Sequence, residues 1–444
     1  MTVSRTICAG FLALIIVGTL LLMLPFATAS GDWNSPLVAL FTATSAVCVT
    51  GLIVVDTGTY FSSFGQGVVL TLIQLGGLGY MTATTLLLLL VGRRLCLKDR
   101  LAIQQAMETA ELANVTKLLV SIISMTLIFE LSGAFLLMPT FTADFSFGRS
   151  LWLSIFHSIS AFNNAGFSLF SDSLVQYAEN GWPMLIISAL IILGGIGYQV
   201  IMEAFLWGRD RLQGRKKRTV FSLHFRIVTS TTLILLVLGT LAFLAIEYDN
   251  PETLARQGFG AKILIAGFQS VVMRTAGFNS IDIGAMETSA LFVAIALMFV
   301  GASPGSTGGG IKTTTVRILL MSTLAALRGK EEVNCYQRQI PTARVLKALA
   351  VVVASAISVV IITTCISASD PNLSFISILF EAVSAFATVG LSTGITADLS
   401  TLGQLFIIAT MYIGRVGILL LISALLGDPS PSAIHFPEED LLTG

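Results

Sequence analysis

One short pattern recurs four times along the chain, in phase, and it restricts the fold more than any other feature. Each copy is an apolar run, a turn of small or Thr-rich residues, and one glycine followed by Leu or Phe. The copies read LFTATSAVCVTGL, IFHSISAFNNAGF, GFQSVVMRTAGF and LFEAVSAFATVGL, with glycines Gly51, Gly166, Gly277 and Gly390 spaced 115, 111 and 113 residues apart. A second landmark follows each glycine: LGGLGYM from Leu75, LGGIGYQ from Leu193, VGASPGST from Val300 and IGRVGIL from Ile413. A chain built this way folds as four copies of one unit.

The solvent for those units is lipid. Of the 444 residues 55% are hydrophobic and 11% charged, with a mean hydropathy of +0.87, too few charges to cover a soluble domain of this length. Eight segments are long enough to cross a bilayer: 7–25, 65–91, 118–138, 183–207, 227–246, 290–322, 345–367 and 402–426. Between the members of each pair lies a shorter apolar stretch, at 36–49, 149–162, 261–272 and 375–387, of a length suited to a re-entrant helix. The first run, with Arg5 before it and small residues at 27–30, has the look of a signal peptide, but it also opens the first repeat and is read as a span. The fold expected is an all-α polytopic membrane protein with eight transmembrane spans. Four helix–re-entrant P-loop–helix repeats stand in pseudo-fourfold arrangement around one central pore. The divisions are 1–95, 96–210, 211–330, 331–428 and a C-terminal tail, 429–444.

Charge sets the orientation. With the N-terminus cytoplasmic, the outer connections carry twelve acids against four basic residues, Arg149, Arg256, Lys262 and Arg274. The inner connections carry Arg93, Arg94, Lys98, Arg100 and Lys117, then a group from Arg209 to Arg226, then Arg328, Lys330, Arg338, Arg344 and Lys347. This is the positive-inside pattern, with both termini cytoplasmic in a multi-pass membrane protein. Each unit crosses twice, so all four share one orientation, which excludes inverted repeats. The five cysteines (Cys8, Cys48, Cys96, Cys335, Cys365) have no metal or disulfide spacing. The three histidines (His157, His224, His435) form no triad or metal pattern, so no enzyme is expected.

Irregular backbone at membrane depth is tolerated only where protein or a water-filled cavity surrounds it, so four glycine turns around one axis imply a pore. Rings of backbone carbonyls replace a cation's water, and glycine supplies the positive φ that aims them inward. Each short helix also directs the negative end of its dipole at the axis.

The motifs SAFNNAGFSL, RTAGFNS, GGIGY, FEAVSAF with TVGL, and the ending HFPEEDLLTG resemble the Trk/Ktr/HKT superfamily of potassium transporters over the whole chain. Within it the chain is most similar to the KtrB-like membrane (pore) subunits of Ktr potassium uptake systems. The resemblance implies a potassium filter of backbone carbonyls at Val49, Thr50 and Gly51, at Asn164, Ala165 and Gly166, at Thr275, Ala276 and Gly277, and at Thr388, Val389 and Gly390. All four glycines are present, where sodium-preferring plant relatives place serine first. The full TVGYG potassium-channel motif is absent.

The sixth span is interrupted by GASPGSTGGGIKTTT (301–315), whose glycines and proline cannot continue a helix. The resemblance implies a gating loop there, carried by Gly305, Ser306, Thr307, Gly308, Gly309, Gly310 and Lys312. It also implies that Arg415 in the last span contacts that loop. GGGIKT is not a nucleotide loop, since Ile311 breaks the required G-K-[ST] order. Three further charges invite roles: Glu130 pairs with Arg415 or Lys312, Glu381 braces the fourth short helix, and Arg274 turns behind the filter to hold carbonyls. The inner basic loops suit topology, anionic lipid or a partner.

The resemblance further implies a homodimer with one pore per chain, and the C-terminal residues 434–444 as part of its contact. It implies a cytosolic nucleotide-binding regulatory ring (KtrA/KtrC-like) that binds ATP or ADP. The substrate is the potassium ion, with sodium dependence left open, and no covalent cofactor or nucleic-acid partner is expected. Two other classes stand beside this one: the potassium-binding subunit of an ATP-driven pump, and an unrelated secondary cation transporter.

Overall fold

The computed structural model of the chain describes residues 3–79, 115–214 and 220–426. In the first unit, α1 (Val3–Met23) leads to a short α2 (Pro36–Cys48), a single turn α3 (Thr57–Tyr60) and α4 (Ser63–Gly77). The second has α5 (Val115–Asp144), α6 (Phe147–Phe162), α7 (Gly181–Ile196) and α8 (Tyr198–Leu212). The third has α9 (Leu223–Glu247), α10 (Phe259–Val272), α11 (Thr288–Phe299) and α12 (Thr313–Leu327). A two-stranded hairpin, β1 (Asn334–Cys335) and β2 (Arg338–Gln339), joins it to α13 (Thr342–Ser369), α14 (Phe375–Phe386), α15 (Thr401–Val416) and α16 (Ile418–Leu426).

Four described helices are long and apolar enough to cross a bilayer alone, and they are the incoming helix of each unit: α1, α5, α9 and α13. Six spans result if each bent pair counts as one. The outgoing helices differ from the sequence expectation of unbroken spans. The segment 183–207 breaks at Gly197, where α7 and α8 meet at 106°, and 402–426 breaks at Gly417, where α15 and α16 meet at 93°. Gly197 (φ 94°) and Gly417 (φ 87°) occupy the left-handed region, which an L side chain resists. The expected span 65–91 is described only as far as α4 and Gly79, its remainder lying outside the described residues. The anticipated break in the sixth span is real and runs from Val300 to Lys312.

The short helices form the core. Phe41, Phe156 and Phe380, each ten residues before its unit's glycine, are fully buried. The incoming helices turn apolar side chains outward, Phe135 (79% exposed) and Leu131 (66%) among them, as a lipid-facing surface requires. The outgoing helices approach very closely. A Cβ on Gly76, Gly194 or Gly414 would overlap the backbone carbonyl oxygen of Val47, Phe162 or Phe386 respectively, at the end of each short helix. The second landmark's glycines therefore let the outgoing helix lie against the short helix's C-terminus.

Candidate functional site

The four turns have one conformation. Two residues before each glycine the chain is left-handed: Val49 (φ 56°), Asn164 (57°), Thr275 (67°) and Thr388 (51°). Gly51 (93°), Gly166 (71°), Gly277 (69°) and Gly390 (90°) also have positive φ. Left-handed valine and threonine are strained, so the surroundings must hold them. The short helices do this through the turns' N–H groups. Thr50, Ala165 and Val389 donate to the carbonyls of Ser45, Ser160 and Ser384, each at 2.8 Å. Gly51 and Gly390 donate to the Ser45 and Ser384 hydroxyls, each at 3.1 Å. The third unit departs from this: Val271 stands where the others have serine, and Ala276 donates to Val272 at 3.1 Å. In the first and fourth turns every N–H is committed to the helix end, and the carbonyls are left over.

Those carbonyls meet in a closed ring, in chain order. A Cβ on Gly51 would overlap the Ala165 carbonyl oxygen, and one on Gly166 would lie 2.8 Å from both the Ala276 oxygen and the Gly277 Cα. From Gly277 the same construction gives 2.6 Å to the Val389 oxygen, and from Gly390 an overlap with the Thr50 oxygen. Val49, Thr50, Asn164, Ala165, Thr275, Ala276, Thr388 and Val389 are all fully buried around it. The Thr50 and Thr388 hydroxyls have no protein partner.

The loop of the third unit sits against this ring. Gly308 abuts the Thr275 hydroxyl and Gly309 the Thr388 hydroxyl, so closely that a Cβ on either would collide. The loop is cross-tied by Ala302 N–H to the Gly309 carbonyl (3.3 Å), by Lys312 Nζ to the Gly308 carbonyl (2.9 Å) and by Ser303 with Thr313 (2.9 Å). The Ser306 hydroxyl donates within the loop, to the Ser303 carbonyl at 2.6 Å. Outside anchors come from the second unit: Ser303 and Thr307 N–H donate to the Gly195 and Gly194 carbonyls (3.1 and 3.2 Å), and Tyr198 N–H to the Gly305 carbonyl (3.1 Å). Arg415 spans the gap. Its guanidinium donates to the Thr307 carbonyl on the loop and to the Gly76 carbonyl at the end of α4, with the Gly77 carbonyl at 3.4 Å. One half-buried cation thus ties together the first, third and fourth units.

Two expectations change. Glu130 lies with side-chain amides, accepting from Asn163 (2.9 Å) and Gln74, while Arg415 and Lys312 reach loop carbonyls. Amides satisfy a buried acid without bringing a second charge into the interior. Arg274 does not hold carbonyls: it lines a small, mostly apolar cavity with Ile191, Ile196, Thr232, Leu236 and Val271, and its Nε and Nη1 lack protein partners. Glu381 does accept from Thr396, beyond the ring, as a brace would. Sequence reasoning missed Asn163 and Gln74, which join α4, α5 and α6 beneath the ring. A polar pair in otherwise apolar helices was the available signal.

Comparison with known proteins came out consistently. The family model for TrkH, described as a cation transport protein, matches residues 2–433. The chain is 39% identical to the Ktr system potassium uptake protein B of Bacillus subtilis, covering 100% of this chain and 97% of that one. It is also 39% identical to the potassium/sodium uptake protein NtpJ of Enterococcus hirae, over 99% and 97% of the two chains. Among solved structures, the crystal structure of the potassium transporter TrkH from Vibrio parahaemolyticus has the same fold. The TM-score is 0.73 at 18% identity, covering 95% of this chain and 85% of that one.

Proposed function

This chain belongs to the TrkH family of cation transport proteins, and on that footing we propose that it takes up potassium through the ring of glycine turns. The observation that carries the reading is the closed ring itself, with four backbone turns of one conformation each touching the next. Ring carbonyls replace the ion's water, the short helices add the negative ends of their dipoles, and the acidic outer connections concentrate cations at the mouth. Val49 to Gly51, Asn164 to Gly166, Thr275 to Gly277 and Thr388 to Gly390 form the filter.

The loop from Gly305 to Lys312 is the gate. It abuts the Thr275 and Thr388 hydroxyls, and Arg415 holds it by its Thr307 carbonyl. In that position Lys312 and Arg415 add positive charge below the ring, which opposes a cation's passage. Releasing Arg415 frees the loop to move aside. The four units, 1–95, 96–210, 211–330 and 331–428, stand in pseudo-fourfold arrangement with eight membrane crossings, the last of the second, third and fourth units bent or broken. Both termini lie in the cytoplasm, as the positive inner connections favour. The chain works as a homodimer under a cytosolic ring that binds ATP or ADP, so nucleotide acts on the partner and not on this chain.

The deciding experiment is rubidium uptake by liposomes holding the purified chain, with and without sodium. Uptake driven by the gradient alone supports the pore. Uptake only with a hydrolysing pump partner removes it, and uptake abolished by withdrawing sodium makes the transport obligatorily coupled.

A further inference from the structure

Arg274 follows α10, three residues before Gly277, and is 8% exposed. The matching positions of the other units hold Cys48, Asn163 and Ala387, so only the third turn carries a charge there. The third turn also lacks the serine brace of the first and fourth. Val271 stands where the Ser45 and Ser384 hydroxyls hold the N–H groups of Gly51 and Gly390.

A guanidinium keeps its proton inside a protein and offers donors only. Among the described residues no ion pair reaches Arg274, and its Nε and Nη1 are buried with no hydrogen-bond partner. The C-terminal end of α10 contributes roughly half a negative charge, which leaves the rest uncompensated. At membrane depth a buried charge without a counter-charge is costly.

Arg274 lines a cavity of about 10 Å³ between α7, α9 and α10, with Ile191, Ile196, Thr232, Leu236 and Val271. That is room for roughly one water-sized occupant. Thr232 brings a second donor, since its hydroxyl is also buried without a partner. None of the described lining residues carries a carboxylate. A fixed positive charge, a free hydroxyl, apolar walls and room for one small sphere suit a small anion. Water would satisfy the N–H groups and leave the charge in place.

We infer that Arg274 and Thr232 form a binding site for one small monovalent anion, chloride, behind the third turn of the ring. Bound there, the anion fixes the Arg274 side chain between α7 and α9. It thereby braces Thr275 to Gly277 from behind, where the serine of the other units is replaced by Val271. Gly195 lines the same cavity, and its carbonyl anchors the loop through Ser303 N–H, so the site also adjoins the loop's anchor. Binding is independent of the pore reading; its effect on uptake rests on that reading.

The test uses the full chain, purified throughout in potassium chloride or in potassium gluconate of equal concentration. Chloride and bromide should raise the melting temperature of the wild type over gluconate, which is too large for the cavity. Arg274→Met should abolish the chloride response, and Arg274→Lys should keep it at a higher half-effective concentration. Thr232→Val, which removes one donor should the Arg274 variants not fold, should raise the half-effective chloride concentration several-fold. No chloride stabilisation of the wild type overturns the site, and so does a full response in Arg274→Met and Thr232→Val. Equal stabilisation by sulfate also overturns it, since that is a general salt effect. In liposomes the rubidium-to-sodium uptake ratio should fall when gluconate replaces chloride. A constant ratio with stabilisation intact removes the bracing role and leaves the site. Stabilisation intact without any rubidium uptake counts against the pore reading alone.

Discussion

At Gly51 the backbone is left-handed (φ 93°) and a Cβ would strike the Ala165 carbonyl oxygen, so serine there strains one turn and displaces its neighbour. Strain of about 1–2 kcal/mol at such a position corresponds to roughly tenfold. Gly51→Ser should lower the rubidium-to-sodium uptake ratio by about that factor, and an unchanged ratio in liposomes would remove Gly51 from the filter. Arg415 is the other decisive residue. It donates to carbonyls of two different units, and a glutamine is too short and too weak a donor to reach both. Arg415→Gln should raise basal rubidium flux several-fold without regulatory partner, measured on folded protein. Flux at or below the wild-type level would mean that Arg415 does not lock the loop. The glycines of the ring were legible in the sequence because their spacing repeats. The left-handed conformation of Val49, Thr275 and Thr388 was not, since β-branched residues disfavour it and only the anchored N–H groups around them enforce it.

Among elements, close packing of outgoing on short helices is the common device. Gly194→Leu would drive a side chain into the Phe162 carbonyl, and overpacking of this kind costs about 1–3 kcal/mol. A lower melting temperature in detergent, by several degrees, is the expected result. An unchanged melting temperature would show that α7 can move off α6. On the outer side, Asp370 ends α13 and accepts from Ser400 N–H (2.7 Å), the Ser400 hydroxyl (2.9 Å) and the Ser369 hydroxyl (2.6 Å), tying α13 to the start of α15. Partial burial pushes its carboxyl up, but the bonds from Ser369 and Ser400 outweigh it and hold the pKa below the usual value. A depressed carboxyl stabilises the fold above its unfolded pKa, about 3.9, and the contribution is lost as pH falls through the folded value. Asp370→Asn should therefore lower the melting temperature at pH 7, with the gap to wild type closing below about pH 4. A gap independent of pH would assign the loss to packing. The bends at Gly197 and Gly417 were hidden in the sequence because apolar residues run straight through both. Composition sets which segments enter lipid, and a single left-handed glycine sets their direction.

For the molecule as a whole, four like units are proposed to share selectivity around one ring, with control unequal among them. Only the third unit carries the polar loop, and only the fourth carries Arg415. If the chain pairs with a second copy, the purified protein should have roughly twice the mass of the 47.2 kDa chain by native mass spectrometry. A stable monomer active in liposomes would end the homodimer reading. The C-terminal residues 434–444, to which the resemblance gives part of that contact, lie outside the described residues. The sequence by itself determined the lipid solvent, the four recurring glycine turns and the broken sixth span. Those follow from composition, periodicity and charge, which act locally along the chain. Tertiary structure alone decided that the turns touch in chain order, that Arg415 bridges the loop and α4, that Glu130 sits with amides, and that Arg274 lines a mostly apolar cavity. Those are contacts between residues more than a hundred positions apart in most cases, and only the closing of the ring brings them together.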